Sequence, residues 1–506
     1  MTKTQRFDDV YFLSRLLLGI FAGAISYFAY PRPNLWPVIF ISVALTLISV
    51  SGTTLPRAAA IGFSGGFAFF ASQCWWISQY LGPIPLIALA TSQALFVALS
   101  MVLYVWLERR FQSRVMHIIV FASVWTAREW VTTHFPYGGF PWSRLAMSQA
   151  FSPLSDWVYF GGLSLLSFVI ALGSGLLILL PKLFRGASLA RAVSVSMISL
   201  LVLFAVPATA NKSESGTAFK VAGIQGNANA GLFANTKRGE ILKNHLDVTE
   251  DYLTSDLRNG VKLVVWPENA SDLDPLRFDD VAVRIDDLVN QQLGVPLALG
   301  TLTEVGTKEF NSSLLWKPSE GLADQYDKKR PVPFAEYVPD RDFWYSLAPD
   351  LIGLIYRGYT FGTRDSIFEV DGHRLGVLIC FEIAIDESLQ ALVDSGAQGI
   401  LLQSNNADFG HSDEAYQQLG VAKLRAIETG LPLINVSTTG PSGMFSSSGR
   451  TLAEVEAFQP RFFVADMNLR TSDTPAMGIG RHFDALNLSA LAILTIFSLR
   501  RRVSST

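Results

Sequence analysis

Long apolar stretches recur through the first two hundred residues of this chain, and they set the narrowest limit on its fold. A membrane-spanning helix needs about 20 consecutive apolar residues. Half of the 506 residues are hydrophobic and only 16% are charged, which is too apolar for a soluble protein of this length. The sequence therefore predicts an integral membrane protein with eight spans. They are residues 10–30, 35–51, 58–77, 84–107, 117–130, 158–180, 192–208 and 485–499.

Lysines and arginines between these stretches predict the orientation. Because loops rich in Lys and Arg stay in the cytoplasm, their alternation places both chain ends there. We expect seven transmembrane helices over residues 1–210, an extracytoplasmic domain over 211–481, and a final helix with a basic tail over 482–506. In the alternative, one miscounted helix moves the large domain to the cytoplasm. The basic residues are Lys3, Arg6, Arg57, Arg109, Arg110, Arg114, Lys182, Arg185, Arg191 and Arg500 to Arg502.

An aromatic loop over residues 134–142 is predicted on the same side as the large domain. It combines aromatic residues with Pro and Gly, as suits a rigid turn at the level of the lipid headgroups. Trp142 is therefore a candidate for substrate binding. An ordinary aromatic belt at the membrane surface is the alternative.

The segment after Asn211 changes composition and is typical of an α/β domain. Short β-branched runs alternate with stretches that carry apolar residues at helical spacing. Glu268 and Cys380 each fall at or just past a predicted strand end, where α/β folds present their chemistry. The predicted strands are residues 221–225, 262–265, 296–301, 312–316, 374–380 and 399–403, and the helices are 237–255 and 278–292.

Glu268, Lys328 and Cys380 together supply the parts of a covalent acyl-transfer site. A thiol is mostly protonated at pH 7, so it needs a base or a cation nearby to act as a nucleophile. A carboxylate fits the base, and an ammonium can stabilise both a thiolate and an oxyanion. The alternatives are that Cys380 is a small buried hydrophobic residue and that Glu268 and Lys328 form a surface ion pair.

Composition excludes several other classes. The net charge of −3 gives no basic surface for nucleic acid. The six histidines form no recognised metal-binding spacing, and the two cysteines, Cys74 and Cys380, are too far apart in sequence to suggest a disulfide framework. We expect neither a nucleic-acid partner nor a metal or cofactor.

The strings around Glu268, Lys328 and Cys380, VVWPENA, KKRPVPFAE and LICFE, resemble the Glu-Lys-Cys signature of the carbon-nitrogen hydrolase (nitrilase) superfamily over residues 219–466. With the predicted spans and the GFPW turn at 139–142, the chain resembles the apolipoprotein N-acyltransferase family. The resemblance implies an α-β-β-α sandwich on a helical membrane platform. It makes Cys380 the nucleophile, Glu268 the general base and Lys328 the partner of the thiolate and oxyanion.

The same resemblance suggests supporting residues and substrates. Glu336 would orient the lysine, and Glu382 would lie beside the nucleophile; surface carboxylates are the alternative. The implied reaction moves an acyl chain from a phospholipid, such as phosphatidylethanolamine, through a Cys380 thioester to the diacylglyceryl-cysteine of a lipoprotein at the bacterial inner membrane. The apolar loop over residues 343–356 would guide the acyl chain; the alternative is that this loop packs on the domain core. The candidate substrate-binding residues are Phe343, Trp344, Tyr345 and Phe381, together with Trp142.

Several positions depart from the family's pattern and suggest an altered acyl donor or acceptor. Ala335 stands for a customary Gly, Asn406 for Asp, and Asp408 for an aromatic residue. Thr438 and Thr439 replace a stretch that favours Asn, and Phe233 or Ala234 stands for a Trp.

Two further functions remain open from the sequence. A membrane-tethered nitrilase-type amidase would use water as acceptor, although a single anchor would then suffice. A transporter or receptor would leave Cys380 as a core residue, but its spans should carry more ionisable residues than these.

Overall fold

The chain forms two compact units in the computed structural model, which describes residues 3–186, 194, 197–198, 201–231, 234–235, 237–355 and 358–503. One unit comprises Met1–Ser78, Gly82–Ala210 and Pro475–Thr506, and the other comprises Gln79–Leu81 and Asn211–Thr474. Residues 475–481, which the sequence analysis assigned to the extracytoplasmic domain, belong to the first unit.

The first unit is helical, and small residues let its helices approach closely. A Cβ on Gly23 would lie 2.2 Å from the carbonyl oxygen of Gly65, so α1 and α3 pack backbone to backbone there. Gly66 gives α5 the same access on another face of α3. The helices are α1 (Lys3–Ile25), α2 (Val38–Val50), α3 (Leu55–Gln73), α4 (Ile77–Leu81), α5 (Pro83–Glu108), α6 (Arg114–His134), α7 (Val158–Gly186) and, at the end of the chain, α14 (Phe483–Val503).

Four helical segments are long and apolar enough to cross a membrane: Asp8–Ala29, Pro83–Glu108, Ser155–Leu179 and Gly480–Arg500. They coincide with four of the predicted spans. Helices α2, α3 and α6 occupy three more, but they are shorter or less apolar. The predicted span at 192–208 lies partly outside the described residues, which lack 192–193, 195–196 and 199–200. A helical membrane domain is therefore confirmed, whereas the count of eight spans stays a prediction.

The second unit contains two six-stranded mixed sheets. The first has the order β12-β1-β2-β3-β4-β5 and the second the order β11-β10-β9-β8-β7-β6. Within them, β1, β2 and β3 run parallel, as do β7, β8 and β9. The strands are β1 (Thr217–Gln225), β2 (Val261–Val265), β3 (Leu297–Val305), β4 (Lys308–Lys317), β5 (Gly321–Asp327), β6 (Ile367–Val370), β7 (His373–Ile379), β8 (Gly399–Ser404), β9 (Leu433–Ser437), β10 (Ser442–Phe445), β11 (Thr451–Val455) and β12 (Arg461–Leu469).

Helices cover the outer face of each sheet, which gives the four-layer α-β-β-α order expected from the sequence. Because the central parallel strands are covered on both faces, they are apolar almost throughout, and every residue of β8 is buried. Side chains of both sheets form one core between them, including Val221, Val377 and Leu401. The covering helices are α8 (Glu240–Leu253), α9 (Asp279–Asp287), α12 (Asp386–Asp394) and α13 (Glu414–Thr429). Two short helices, α10 (Arg341–Leu347) and α11 (Pro349–Leu354), lie in the segment between β5 and β6.

Arg425 is a fully buried cation that joins α13 to the turn after β7. Its guanidinium donates to the carbonyl oxygens of Ile383 (3.0 Å) and Ala384 (2.8 Å), and it pairs with Glu428 (2.6 Å) and Asp386. A buried charge is stable only when it is paired and hydrogen-bonded. Arg425 therefore fixes α13 against the segment that begins at Cys380.

We expect Arg425→Met to destabilise the second unit by about 3 kcal/mol, because it leaves the buried Glu428 carboxylate without its partner. The urea dependence of proteolysis in the full-length, detergent-solubilised protein measures this change. The matched control is Arg374→Met, which removes an exposed ion pair with Glu369 and should change stability by less than about 1 kcal/mol. Equal effects of the two substitutions would contradict the structural role of Arg425.

Candidate active site

Cys380 lies at a sharp turn that presents its thiol at the end of a buried strand. It follows β7 directly and opens a single 3₁₀ turn, Cys380–Ala384. Its φ of +53° falls in the left-handed region, which costs a non-glycine residue on the order of 1–3 kcal/mol and is often found at functional sites. The side chain stays partly exposed, unlike the other cysteine, Cys74. Cys380 thus packs against the edge of the core between the two sheets without being fully buried.

Glu382 holds this turn to the segment that carries Lys328. It is fully buried, and its carboxylate accepts hydrogen bonds from both sides of the site. The donors are Ile379 N (2.9 Å), Lys329 N (2.9 Å), Arg330 N (3.1 Å) and the Tyr326 hydroxyl (2.8 Å). One carboxylate therefore fixes the backbone before Cys380 and the backbone after Lys328 relative to each other.

Lys328 is buried between two carboxylates. Its side chain is 1% exposed, and its Nζ lies 2.9 Å from Glu336 Oε1 and 3.5 Å from Glu268 Oε1. Asn311 Nδ2 donates to the same two oxygens, at 2.7 Å to Glu268 and 3.0 Å to Glu336. The structure thus brings together the predicted Glu268, Lys328 and Glu336, and all three are buried rather than exposed on the surface.

Glu268 is also fixed from the second sheet. Asn405, directly after β8, donates its backbone N–H to Glu268 Oε2 at 2.6 Å, and the Thr438 hydroxyl donates to the Glu268 carbonyl oxygen at 3.0 Å. Gly300 packs against the same backbone, because a Cβ there would lie 2.6 Å from Glu268 Cα. The carboxylate therefore has little freedom to rotate away from Lys328.

The charges in this cluster and its burial shift the pKa values of its members in opposite directions. Desolvation would lower the pKa of Lys328, but Glu336 and Glu268 outweigh it, so the pKa is raised and the ammonium stays protonated. For Glu268, burial raises the pKa and Glu336 raises it further, while Lys328 and the bonds from Asn311 and Asn405 act in the opposite direction. Glu268 is therefore a stronger base than an exposed carboxylate.

The thiol of Cys380 responds to the same groups. Desolvation by the surrounding protein raises its pKa, Glu268 raises it further, and Lys328 lowers it. Lys328 is also held at this end of β7 by geometry, because Glu382 accepts from the backbone on either side, at Ile379 N and Lys329 N. The raised pKa means that the resting residue is a thiol, so it can attack a substrate only when a base removes its proton. Glu268 is the buried carboxylate available for that step.

The candidate substrate-binding residues differ in exposure. Phe343 is 56% exposed and Tyr345 is 50% exposed, both on α10. Trp344 is partly buried, with its ring edge-on to Phe334 at a centroid distance of 5.3 Å. Phe381 is also partly exposed. The aromatic side chains on α10 are therefore available to contact an apolar ligand.

Trp142 belongs to the helical unit and is only 4% exposed. Its indole packs edge-on against Trp76, with ring centroids 5.9 Å apart. This burial favours a structural role for Trp142 within the helical unit, and its assignment to substrate binding stays a prediction.

Sequence reasoning missed Asn311 and Tyr326, which hold Glu268, Glu336 and Glu382 in place. Both lie on strands, and the sequence of a strand does not indicate which distant residue a polar side chain will bond. The departures at Asn406, Thr438 and Thr439 are buried beside the site, whereas Asp408 is partly exposed. Of the two positions that stand for a Trp, Phe233 lies outside the described residues.

Comparison with known families matches both units. Residues 22–176 match the family described as apolipoprotein N-acyltransferase N-terminal domain, and residues 220–474 match the carbon-nitrogen hydrolase family. The two matches follow one another along the chain, first in the helical unit and then in the unit with the two sheets.

Curated relatives match nearly the whole chain. An apolipoprotein N-acyltransferase of Mycolicibacterium smegmatis is 30% identical over 515 residues, which cover 95% of this chain and 84% of the relative. One from Pseudomonas paraeruginosa is 30% identical over 465 residues, covering 88% of each chain. Among solved structures, an amidase from Nesterenkonia sp. is 17% identical and has a TM-score of 0.38, covering 52% of this chain and 94% of the amidase.

We expect Glu268→Gln to lower the pKa of Cys380, because it removes a negative charge that raises that pKa. The rate of Cys380 alkylation by iodoacetamide, followed by peptide mass spectrometry to exclude Cys74, should then reach its midpoint at lower pH. The control is Glu320→Gln, which changes an exposed carboxylate of the same unit. A midpoint that stays in place or rises would show that Glu268 does not act on the thiol.

Proposed function

The chain belongs to the apolipoprotein N-acyltransferase family, and we propose that it acylates lipoproteins through a thioester on Cys380. The acyl donor is a membrane phospholipid, with phosphatidylethanolamine as the leading candidate. The acceptor is the free α-amine of a diacylglyceryl-cysteine at the lipoprotein N-terminus. The observation that carries this proposal is the buried Lys328, which lies between Glu268 and Glu336 and whose segment Glu382 ties to the backbone just before Cys380.

In the first half-reaction, Glu268 takes the proton of the Cys380 thiol as the sulfur attacks an ester carbonyl of the phospholipid. A carbon–sulfur bond forms, and the ammonium of Lys328 stabilises the oxyanion of the tetrahedral intermediate. The intermediate collapses by breaking the carbon–oxygen ester bond. Glu268 then returns the proton to the oxygen of the departing lysophospholipid, and the acyl chain remains on Cys380.

In the second half-reaction, the neutral amine of the acceptor attacks the thioester carbonyl. A carbon–nitrogen bond forms and the carbon–sulfur bond breaks, while Glu268 carries a proton from the nitrogen to the departing sulfur. The first product must leave before the acceptor reacts, so this sequence is a ping-pong mechanism. An amide is more stable than a thioester, which makes the second step favourable.

Two lipid substrates account for a large membrane domain attached to an amidase-like fold. The exposed rings of Phe343 and Tyr345 support an apolar route for the acyl chain. We propose that Trp344 and Phe381 line the same route. We further propose that the second unit lies outside the bacterial cytoplasmic membrane, because the basic loops of the helical unit favour the cytoplasmic side.

Incubation of the purified protein with phospholipid alone should give an acyl adduct on wild type and none on Cys380→Ala, because the substitution removes the nucleophile. Intact-mass spectrometry measures the adduct, and hydroxylamine should release it as expected of a thioester. Adding a synthetic diacylglyceryl-cysteine peptide should then move the acyl chain to its amine. Release of the chain to water at the same rate with and without the peptide would identify a hydrolase and contradict the proposal.

A cysteine placed at Glu320 should be labelled by a membrane-impermeant maleimide in spheroplasts, in a background that lacks Cys74 and Cys380. Glu320 is exposed on the second unit, which we propose to be extracytoplasmic. A cysteine at Gln112, in a basic loop, should be labelled only after the membrane is permeabilised. The reverse pattern would place the second unit in the cytoplasm and contradict the proposed orientation.

A further inference from the structure

A third buried carboxyl group lies near the thiol, and the mechanism above does not use it. Glu414 is the first residue of α13 and is only 3% exposed. Its charge raises the pKa of Cys380, and the charge of Glu268 raises that of Glu414. The geometry agrees, because Asn405 donates its backbone N–H to Glu268 at 2.6 Å and the next residue, Asn406, donates its side-chain amide to Glu414 at 2.7 Å.

Asn406 fixes the carboxyl of Glu414 and leaves a hydrogen-bond donor beside it. Asn406 Nδ2 donates to Glu414 Oε2 and to Gln418 Oε1, each at 2.7 Å, while its Oδ1 accepts from the Ser437 hydroxyl at 2.6 Å. Gln418 is 1% exposed, yet its Nε2 has no hydrogen-bond partner among the residues that the structure describes. A buried amide donor without a partner is costly, so it indicates a missing acceptor group.

We propose that Glu414 and Gln418 form the subsite for the amino end of the acceptor. This inference rests on the proposed function. Glu414 accepts hydrogen bonds from the α-ammonium group of the acceptor cysteine, and Gln418 Nε2 donates to the carbonyl oxygen of the same residue. An N-terminal residue carries both groups, an α-ammonium that donates hydrogen bonds and a carbonyl oxygen that accepts them. A neutral phospholipid ester has no such amine beside its reacting carbonyl.

The subsite also solves the proton balance of the second half-reaction. An α-amine arrives largely protonated at pH 7, and an ammonium cannot attack a carbonyl. Glu414 takes one proton from the ammonium, and the neutral amine then forms the carbon–nitrogen bond as the carbon–sulfur bond breaks. Glu268 moves a second proton from the nitrogen to the sulfur of Cys380. The products are the amide, the thiol and one proton, which Glu414 releases to solvent.

The acidity of Glu414 matches this step. Burial raises its pKa to about 8, against the lowering effect of the bond from Asn406. An α-amino group has a pKa of about 8, so the proton passes between the two groups at little free-energy cost. The groups whose charges bear on this site are Glu268 and Cys380, and Glu268 in turn lies against Lys328 and is affected by Glu336. Asp408 and Asp413 precede α13 in the sequence.

The test uses Glu414→Gln in the full-length protein, which keeps the shape of the side chain and removes its charge. Acylation of Cys380 by phospholipid should reach the same final extent as in wild type, and hydroxylamine, a neutral amine at pH 7, should cleave the thioester equally well. Transfer to a synthetic diacylglyceryl-cysteine peptide at pH 7 should fall by about 10-fold, because only about a tenth of an α-amine with a pKa of about 8 is neutral at pH 7 and can attack without this base. This deficit should shrink as the pH rises above the pKa of the amine, because the amine is then neutral without help from a base. Glu320→Gln is the matched control and should transfer normally.

Each outcome separates this inference from the function on which it rests. Wild-type protein that is acylated but transfers nothing to the peptide contradicts the proposed function, and the subsite with it. Wild type that transfers, with Glu414→Gln equally active at pH 7, contradicts the subsite alone. A variant that no longer forms the thioester, or whose deficit is the same at every pH, also overturns the inference, because Glu414 would then only support the fold of the site.

Discussion

The ammonium of Lys328 between two carboxylates is the interaction on which the rest of the site depends. An isolated charge in this position would be strongly destabilised, so Glu268 and Glu336 must both reach it from separate segments of the chain. Asn311 holds these two carboxylates in place by donating to each of them. Burial makes the field of this cluster strong at the sulfur of Cys380. The same arrangement that keeps Lys328 protonated therefore keeps Glu268 basic and the resting thiol protonated.

The hydrogen bonds of Asn406 show how one departure from the family's pattern fits into the structure. Where the resemblance leads one to expect Asp, this chain has an amide that donates to the carboxyl group of Glu414. A carboxyl group is thus still present on this side of the site, at the start of α13. Asn406 also accepts from Ser437, and the next residue, Thr438, donates to the Glu268 carbonyl oxygen. Asn406 and Thr438, two of the altered positions, therefore both contact buried parts of the site.

Sequence patterns predicted the parts of the structure that follow from local periodicity. Apolar runs located the helical membrane domain and the buried strands, and the strand ends located Glu268 and Cys380. Partners that come from distant segments could not be predicted, because Asn311, Tyr326 and Glu414 look like ordinary polar residues until the sheets bring them together. Helix count was equally hard to settle, since α3 and α6 bury polar residues against their neighbours and are less apolar than an isolated span would need to be.

For the acyl transfer proposed above, Glu382 limits which segments of the chain can move to admit lipids of different size. Its carboxylate accepts from Lys329 N and Arg330 N and from Ile379 N at the end of β7. The segment from Lys328 to Arg330 therefore has little freedom to move relative to Cys380. In that transfer, any movement of the aromatic helix α10 to admit a longer acyl chain must hinge beyond Glu336, because Glu336 bonds Lys328. Engineering of chain-length selectivity therefore belongs in residues 341–347, which form α10.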